Sequence, residues 1–182
     1  SEYSGVKGLL CPLAVAANVG FDDVSLGGPR VRHLLSMTSG LDEGRWWREV
    51  EDARKPPDDR FAFARGLPVL NRPGAAFQYS GVHAAAFGGY LVERGIDPRK
   101  IALEVLRGVG VKPAKWSLDG VGQPVLSHGM SLSPEQWARV GMLMRDGAAT
   151  KYAPCLQGSA AMPAYGFGWW LNAPLTEAQA PV

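Results

Sequence analysis

Ser4-Gly5-Val6-Lys7 places an alcohol and an amine three positions apart, and the apolar run Leu9, Leu10, Cys11 follows. If that stretch is helical, positions 4 and 7 share a face one turn apart, and the ammonium of Lys7 can reach the hydroxyl of Ser4. A serine alcohol is a poor nucleophile until a neighbouring base takes its proton. Lysine serves as that base only where burial or nearby positive charge lowers its pKa, and a helix N-terminus works in the same direction. The chemistry on offer is acyl transfer. A four-residue pattern of this kind also arises often by chance, so the rest of the chain must decide its meaning.

The elements that would hold such a pair are legible mainly in the middle and later parts of the sequence. Ser133 opens a capping box with Gln136, Pro134 stands at the first helical position, and Trp137, Val140, Leu143 and Met144 form an apolar stripe that stops at Gly147. This predicts a helix over 134–146. Asp97 and Pro98 open another, carrying Ile101, Leu103, Val105 and Leu106 to Gly108, and Ser80 to Gly95 reads as an Ala/Gly-rich helix packed closely on its neighbours. Val31 to Ser36 predicts a short helix that ends in the Thr38-Ser39-Gly40 turn. Tyr165 to Leu171, aromatic with glycines at 166 and 168, is the best strand. With one strand clear, the pattern is mostly helical.

The 182 residues are 46% hydrophobic and 20% charged, with 19 Lys+Arg against 17 Asp+Glu. That composition buries a real core, and a net charge of +2 gives no electrostatic case for nucleic acid or an anionic membrane as partner. No apolar run approaches the ~18 residues of a membrane span, and no basic-then-apolar leader opens the sequence. The chain is expected to be soluble. Between Asp42 and Arg65, seven acidic and six basic residues nearly cancel, which reads as a solvated surface excursion. Cys11 and Cys155 have no metal spacing and are expected as free, buried thiols. His33 and His83 have no second ligand at metal spacing and read as packed or surface histidines.

Four further segments then fall in one order. Val31-Arg32-His33-Leu34-Leu35-Ser36-Met37-Thr38-Ser39-Gly40-Leu41 contains the string LLSMTSG, and Arg72-Pro73-Gly74 leads to Phe77-Gln78-Tyr79-Ser80-Gly81. Trp116, Asp119 and Gly122 precede His128-Gly129-Met130, and Tyr165-Gly166-Phe167-Gly168-Trp169-Trp170 closes the series. With the S-x-x-K tetrad, this order resembles the serine β-lactamase and penicillin-binding protein superfamily, in the branch of class C β-lactamases, family VIII esterases and 6-aminohexanoate-dimer hydrolases. The resemblance implies an α/β (α+β) fold, a helical region packed on an antiparallel sheet. It implies Ser4 as acylated nucleophile, Lys7 as its activating partner and Tyr79 as the phenol that relays protons, with no metal or organic cofactor. Gly81, His128, Gly129, Trp46 and Trp170 make up the expected substrate-binding set. Trp169 and Trp170 alternate faces on a strand, so one of them faces the site.

The departures from the pattern are also informative. The second motif reads Tyr-Ser-Gly where β-lactamases carry Tyr-x-Asn, so Gly81 replaces the amide that helps bind an acyl-amide side chain. This favours esters or small amides over β-lactams. No Lys- or His-x-Gly follows Trp170, and His128-Gly129-Met130 matches an earlier element instead. The resemblance thus assigns residues 1–182 to one domain comprising the helical region and part of the α/β region, without its terminal strands. Pro12 is expected to kink the helix that carries the dyad. The expected function is a serine hydrolase acting through an acyl-enzyme on a small-molecule ester or amide, an esterase first. The alternatives are a β-lactamase or D,D-peptidase by the same mechanism, and a non-catalytic binding relative.

Overall fold

A computed structural model describes residues 4–25 and 28–174, with Ser4 described in its backbone only. A 3-10 turn over Ser4–Leu9 passes into α1 (Leu10–Ala16), followed by α2 (Val31–Leu35), α3 (Glu43–Trp46), a π-turn over Trp47–Glu51, α4 (Arg60–Arg65), α5 (Gly81–Glu93), α6 (Pro98–Gly108) and α7 (Pro134–Asp146). One antiparallel pair, β1 (Lys115–Trp116) with β2 (Met130–Ser131), registers Lys115 opposite Ser131 and Trp116 opposite Met130. The fold is therefore mixed, predominantly helical with a small antiparallel sheet.

The caps act where the sequence places them. Ser133 and Gln136 form the reciprocal capping box of α7, Asp97 accepts from the backbone of Arg99 and Lys100 at the start of α6, and the Ser80 side chain accepts from Val82 at the start of α5. α5 is the central element, buried continuously from Gly81 to Leu91, with α2 and α4 packed on it and Phe61 lying directly on Gly88. The charged excursion is more than a solvated loop. Asp42 and Asp59 cap α3 and α4, and the segment sends Trp46, Val50 and Phe61 into the core.

Three expectations are corrected. Residues 165–171 form a tight arch in place of a strand: Tyr165 bridges Trp170, and the Gly166 amide donates to the Trp169 carbonyl at 2.9 Å. Gly168, at φ 86°, folds the chain back before a ladder can extend. Cys11 and Cys155 are joined in a disulfide across 144 residues, tying α1 to the segment that leads into this arch. Their wide separation gave no sequence sign of it, and such bridges persist in oxidising surroundings. Pro12, finally, falls in the first turn of α1, which begins at Leu10, where a proline is tolerated, and it cannot supply the amide that would bond the Gly8 carbonyl four residues back. The Trp169 indole N–H donates to that carbonyl at 3.0 Å.

No helix among the described residues is long and apolar enough to cross a membrane.

Candidate active site

The 3-10 turn sets the register of the tetrad. In such a turn residues three apart eclipse one another, so positions 4 and 7 stand on the same face. The Ser4 side chain lies outside the described residues. Lys7 is 5% exposed, and its Nζ donates to the Ser127 carbonyl at 3.4 Å and lies over the Tyr79 ring, 4.3 Å from the centroid. The amine and the phenol are thus brought together from segments far apart in sequence. Burial pushes the Lys7 ammonium down to about 8, with the negative charge of Glu51 working against it.

Tyr79 is positioned by the turn that carries LLSMTSG. The Met37 carbonyl accepts from the Gln78 amide at 2.9 Å and the Thr38 carbonyl from the Gly74 amide at 2.8 Å. Met37 holds φ at 58°, an uncommon backbone for a residue with a large side chain, and is fully buried. His83, from α5, closes the clamp. Its Nε2 donates to the Gln78 carbonyl at 2.8 Å, so its Nδ1 accepts from the Ser39 hydroxyl, also at 2.8 Å. These bonds fix the residue immediately before Tyr79.

Burial, assisted by the positive charge of Lys7, pushes the His83 imidazole down to about 4. Its ordinary value in an unfolded chain is about 6.5. The unfolded chain therefore holds the extra proton between those values. The stability contributed by neutral His83 is fully present above pH 6.5, is lost as pH falls, and is gone by about pH 4, a difference on the order of 3 kcal/mol. Urea unfolding of the protein and of His83→Gln, each followed from pH 7 to pH 4.5, should show the steeper loss in the unaltered protein. Equal slopes would contradict this role.

Tyr79 is 38% exposed and stacks on Trp170, itself 49% exposed, with centroids 5.8 Å apart. Tyr165 meets the edge of Tyr79 at 5.9 Å and that of Trp170 at 4.9 Å, and Phe77 completes the aromatic wall. Burial drives the Tyr165 phenol well above its ordinary range, and its hydroxyl has no hydrogen-bond partner among the described residues. The alternation of the tryptophans is resolved here. Trp169 turns inward to the Gly8 carbonyl, and Trp170 lies on Tyr79 at the surface.

The remaining expected residues are distributed around this centre. Trp46 is 1% exposed, folded back into the domain, with its Nε1 donating to Glu51 at 2.9 Å. Gly81 is buried at the start of α5, against Glu51, Ser127 and Trp46. His128 is half-buried with its Nδ1 2.9 Å from the Ser127 hydroxyl, and Gly129 is a buried turn residue whose carbonyl accepts from Ser117. Asp119, of the Trp116-to-Gly122 segment, is a scaffold residue: it accepts from the amides of Val121 and Gln123 and from the first residue of α4, Arg60.

Two residues next to the centre escaped the sequence reading, Glu51 and Ser127. Trp46 and Glu51 are five apart, which on an α-helix puts them about 140° apart around the axis. The π-turn, whose bonds span five residues, brings them to one side, and no periodicity in the sequence announces that turn. A cavity of about 470 Å³ beside Val109, Arg139, Met142 and Lys151 includes none of the residues around Lys7 in its lining.

The sequence pattern of the Beta-lactamase family matches residues 14–175, a stretch that begins after Lys7 and includes Tyr79 and the aromatic arch. The chain belongs to the β-lactamase family. Solved structures agree on the fold. A Bacteroides dorei protein provisionally described as a β-lactamase superimposes with a TM-score of 0.70 at 18% identity, over 93% of this chain and 65% of its own. EstCE1, a hydrolase with promiscuous acyltransferase activity, gives 0.64 at 18% identity over 92% and 67%. The β-lactamase/D-alanine carboxypeptidase of Yersinia pestis gives 0.62 at 18% identity over 96% and 67%. Among such structures this β-lactamase-family chain spans from 49% to 69% of the other's length. No curated protein matches it.

Proposed function

We propose that this β-lactamase-family chain carries the nucleophile and proton relay of a serine hydrolase acting on small-molecule esters. The observation that supports this reading is the buried Lys7 amine, held over the Tyr79 ring at 4.3 Å and lowered to about 8 by desolvation. A lysine in that state is neutral in a useful fraction of molecules near neutral pH. Neutral Lys7 takes the hydroxyl proton of Ser4 as the serine oxygen bonds to the ester carbonyl carbon, and the carbonyl oxygen takes up the negative charge. Collapse breaks the bond to the alcohol, which leaves with a proton passed from Lys7 through the Tyr79 hydroxyl. Water, losing its proton to the same groups, then adds to the acyl carbon and releases the acid with Ser4 restored.

The choice of ester over β-lactam rests on Gly81, which presents no amide to an acyl-amide side chain. A p-nitrophenyl ester should be turned over faster than the β-lactam reporter nitrocefin. The reverse order would assign the site to β-lactam chemistry.

A further inference from the structure

Gly81 leaves more than a missing amide. A Cβ built on it would stand 2.5 Å from Glu51 Oε1, 3.2 Å from Ser127 Oγ and 3.3 Å from Trp46 Nε1. The space of a side chain at this motif position is thus already occupied, and the occupant is a carboxylate. That carboxylate is fixed: Trp46 Nε1 donates to it at 2.9 Å, and Trp46 is itself locked in the core at 1% exposure. Ser127 ties the two sides together, its hydroxyl lying against the same point as Glu51 and its carbonyl accepting from Lys7 Nζ.

We propose that Glu51 is a positioning residue for Lys7, a fixed counter-charge delivered by the π-turn into the space that Gly81 leaves open. This rests on the acyl-transfer reading for its purpose, though not for its geometry. Buried beside aromatic rings, a lysine ammonium would lose its proton too readily and leave its amine free to wander, and a carboxylate held nearby keeps it charged, oriented and able to return a proton to the leaving group. The other titratable side chains at this centre are the phenol of Tyr79, whose ring lies against the Lys7 amine, the phenol of Tyr165, which burial holds above its ordinary range, and the imidazole of His83, which burial and the charge of Lys7 hold below its own. His128 is engaged with the Ser127 hydroxyl, and Glu43 with Trp47 and Ser80. Among these, Glu51 is the acid whose charge acts on Lys7.

The test follows the Lys7 titration by NMR of protein labelled with 13C at the lysine ε-carbon, in the unaltered chain and in Glu51→Gln. Glutamine keeps an oxygen for the Trp46 indole and removes only the charge. Lys7 should then titrate about one pH unit lower, a tenfold change in its dissociation constant. Gly81→Ala, which pushes the carboxylate away without removing it, should move Lys7 in the same direction by less. A Lys7 titration unmoved in folded Glu51→Gln, or one that moves upward in either variant, overturns the proposal. Failure of Ser4 in the unaltered protein to accept an acyl group is a separate result that refutes the acyl-transfer reading, because the lysine titration is read without any reaction at Ser4.

Discussion

Lys7→Ala should lower acylation of Ser4 by about 10²- to 10⁴-fold, the range by which a positioned base accelerates proton transfer, and leave thermal stability nearly unchanged. The two halves of this result have one cause. Lys7 is buried, its bond to the Ser127 carbonyl is long at 3.4 Å, and desolvation of its charge outweighs the attraction of Glu51, so the folded state loses little when the amine is removed. Acylation, in contrast, depends on the neutral amine. Because Lys7 loses its proton near pH 8, the rate of acylation should climb as pH rises through that value and level off above it. Lys7→Arg should fail as badly as the alanine variant, since guanidinium does not give up its proton in this range. Retained labelling in either variant would remove Lys7 from the mechanism.

The second large effect concerns stability. Gly168→Ala should destabilise the protein by about 2–5 kcal/mol, combining the strain of a left-handed backbone with overpacking. At φ 86°, Gly168 lies so close to the Lys7 carbonyl oxygen that an added Cβ would clash with backbone, which cannot swing aside as a side chain can. The arch would have to lift from the 3-10 turn, breaking the bond from Trp169 to the Gly8 carbonyl. Gly122 is the control: its φ is 84°, yet an added Cβ would meet nothing within 4 Å. Gly122→Ala should therefore show the backbone strain alone, about 1–2 kcal/mol. Equal losses in urea unfolding would mean that the arch does not bear on the turn.

These arguments also show which parts of the molecule the sequence makes readable. The helices with local punctuation are legible almost to the residue. Asp97-Pro98 and the Ser133/Gln136 box act through bonds within one turn, so the signals and the structure they cause are neighbours in the chain. The pairing of Lys7 with Tyr79 was legible only through the order of motifs, since no local pattern links positions 72 apart. The features that escaped depend on distant partners. Residues 165–171 look like a strand by composition, yet the backbone of Lys7 and Gly8 bends them into an arch. Cys11 and Cys155 carry no spacing signal because the chain brings them together from opposite ends. Glu51 sat unnoticed among many charges, and what sets it apart is a π-turn and a buried indole, neither of which charge pattern reveals.

The most direct trial of the whole account is to treat the folded protein with a fluorophosphonate and identify the modified residue by mass spectrometry. The account predicts one adduct, carried by Ser4 on the tryptic peptide that ends at Lys7, absent in Ser4→Ala and strongly reduced in Lys7→Ala, where the peptide runs on to Arg30. A folded sample that shows no adduct on that peptide would leave the fold without the chemistry assigned to it.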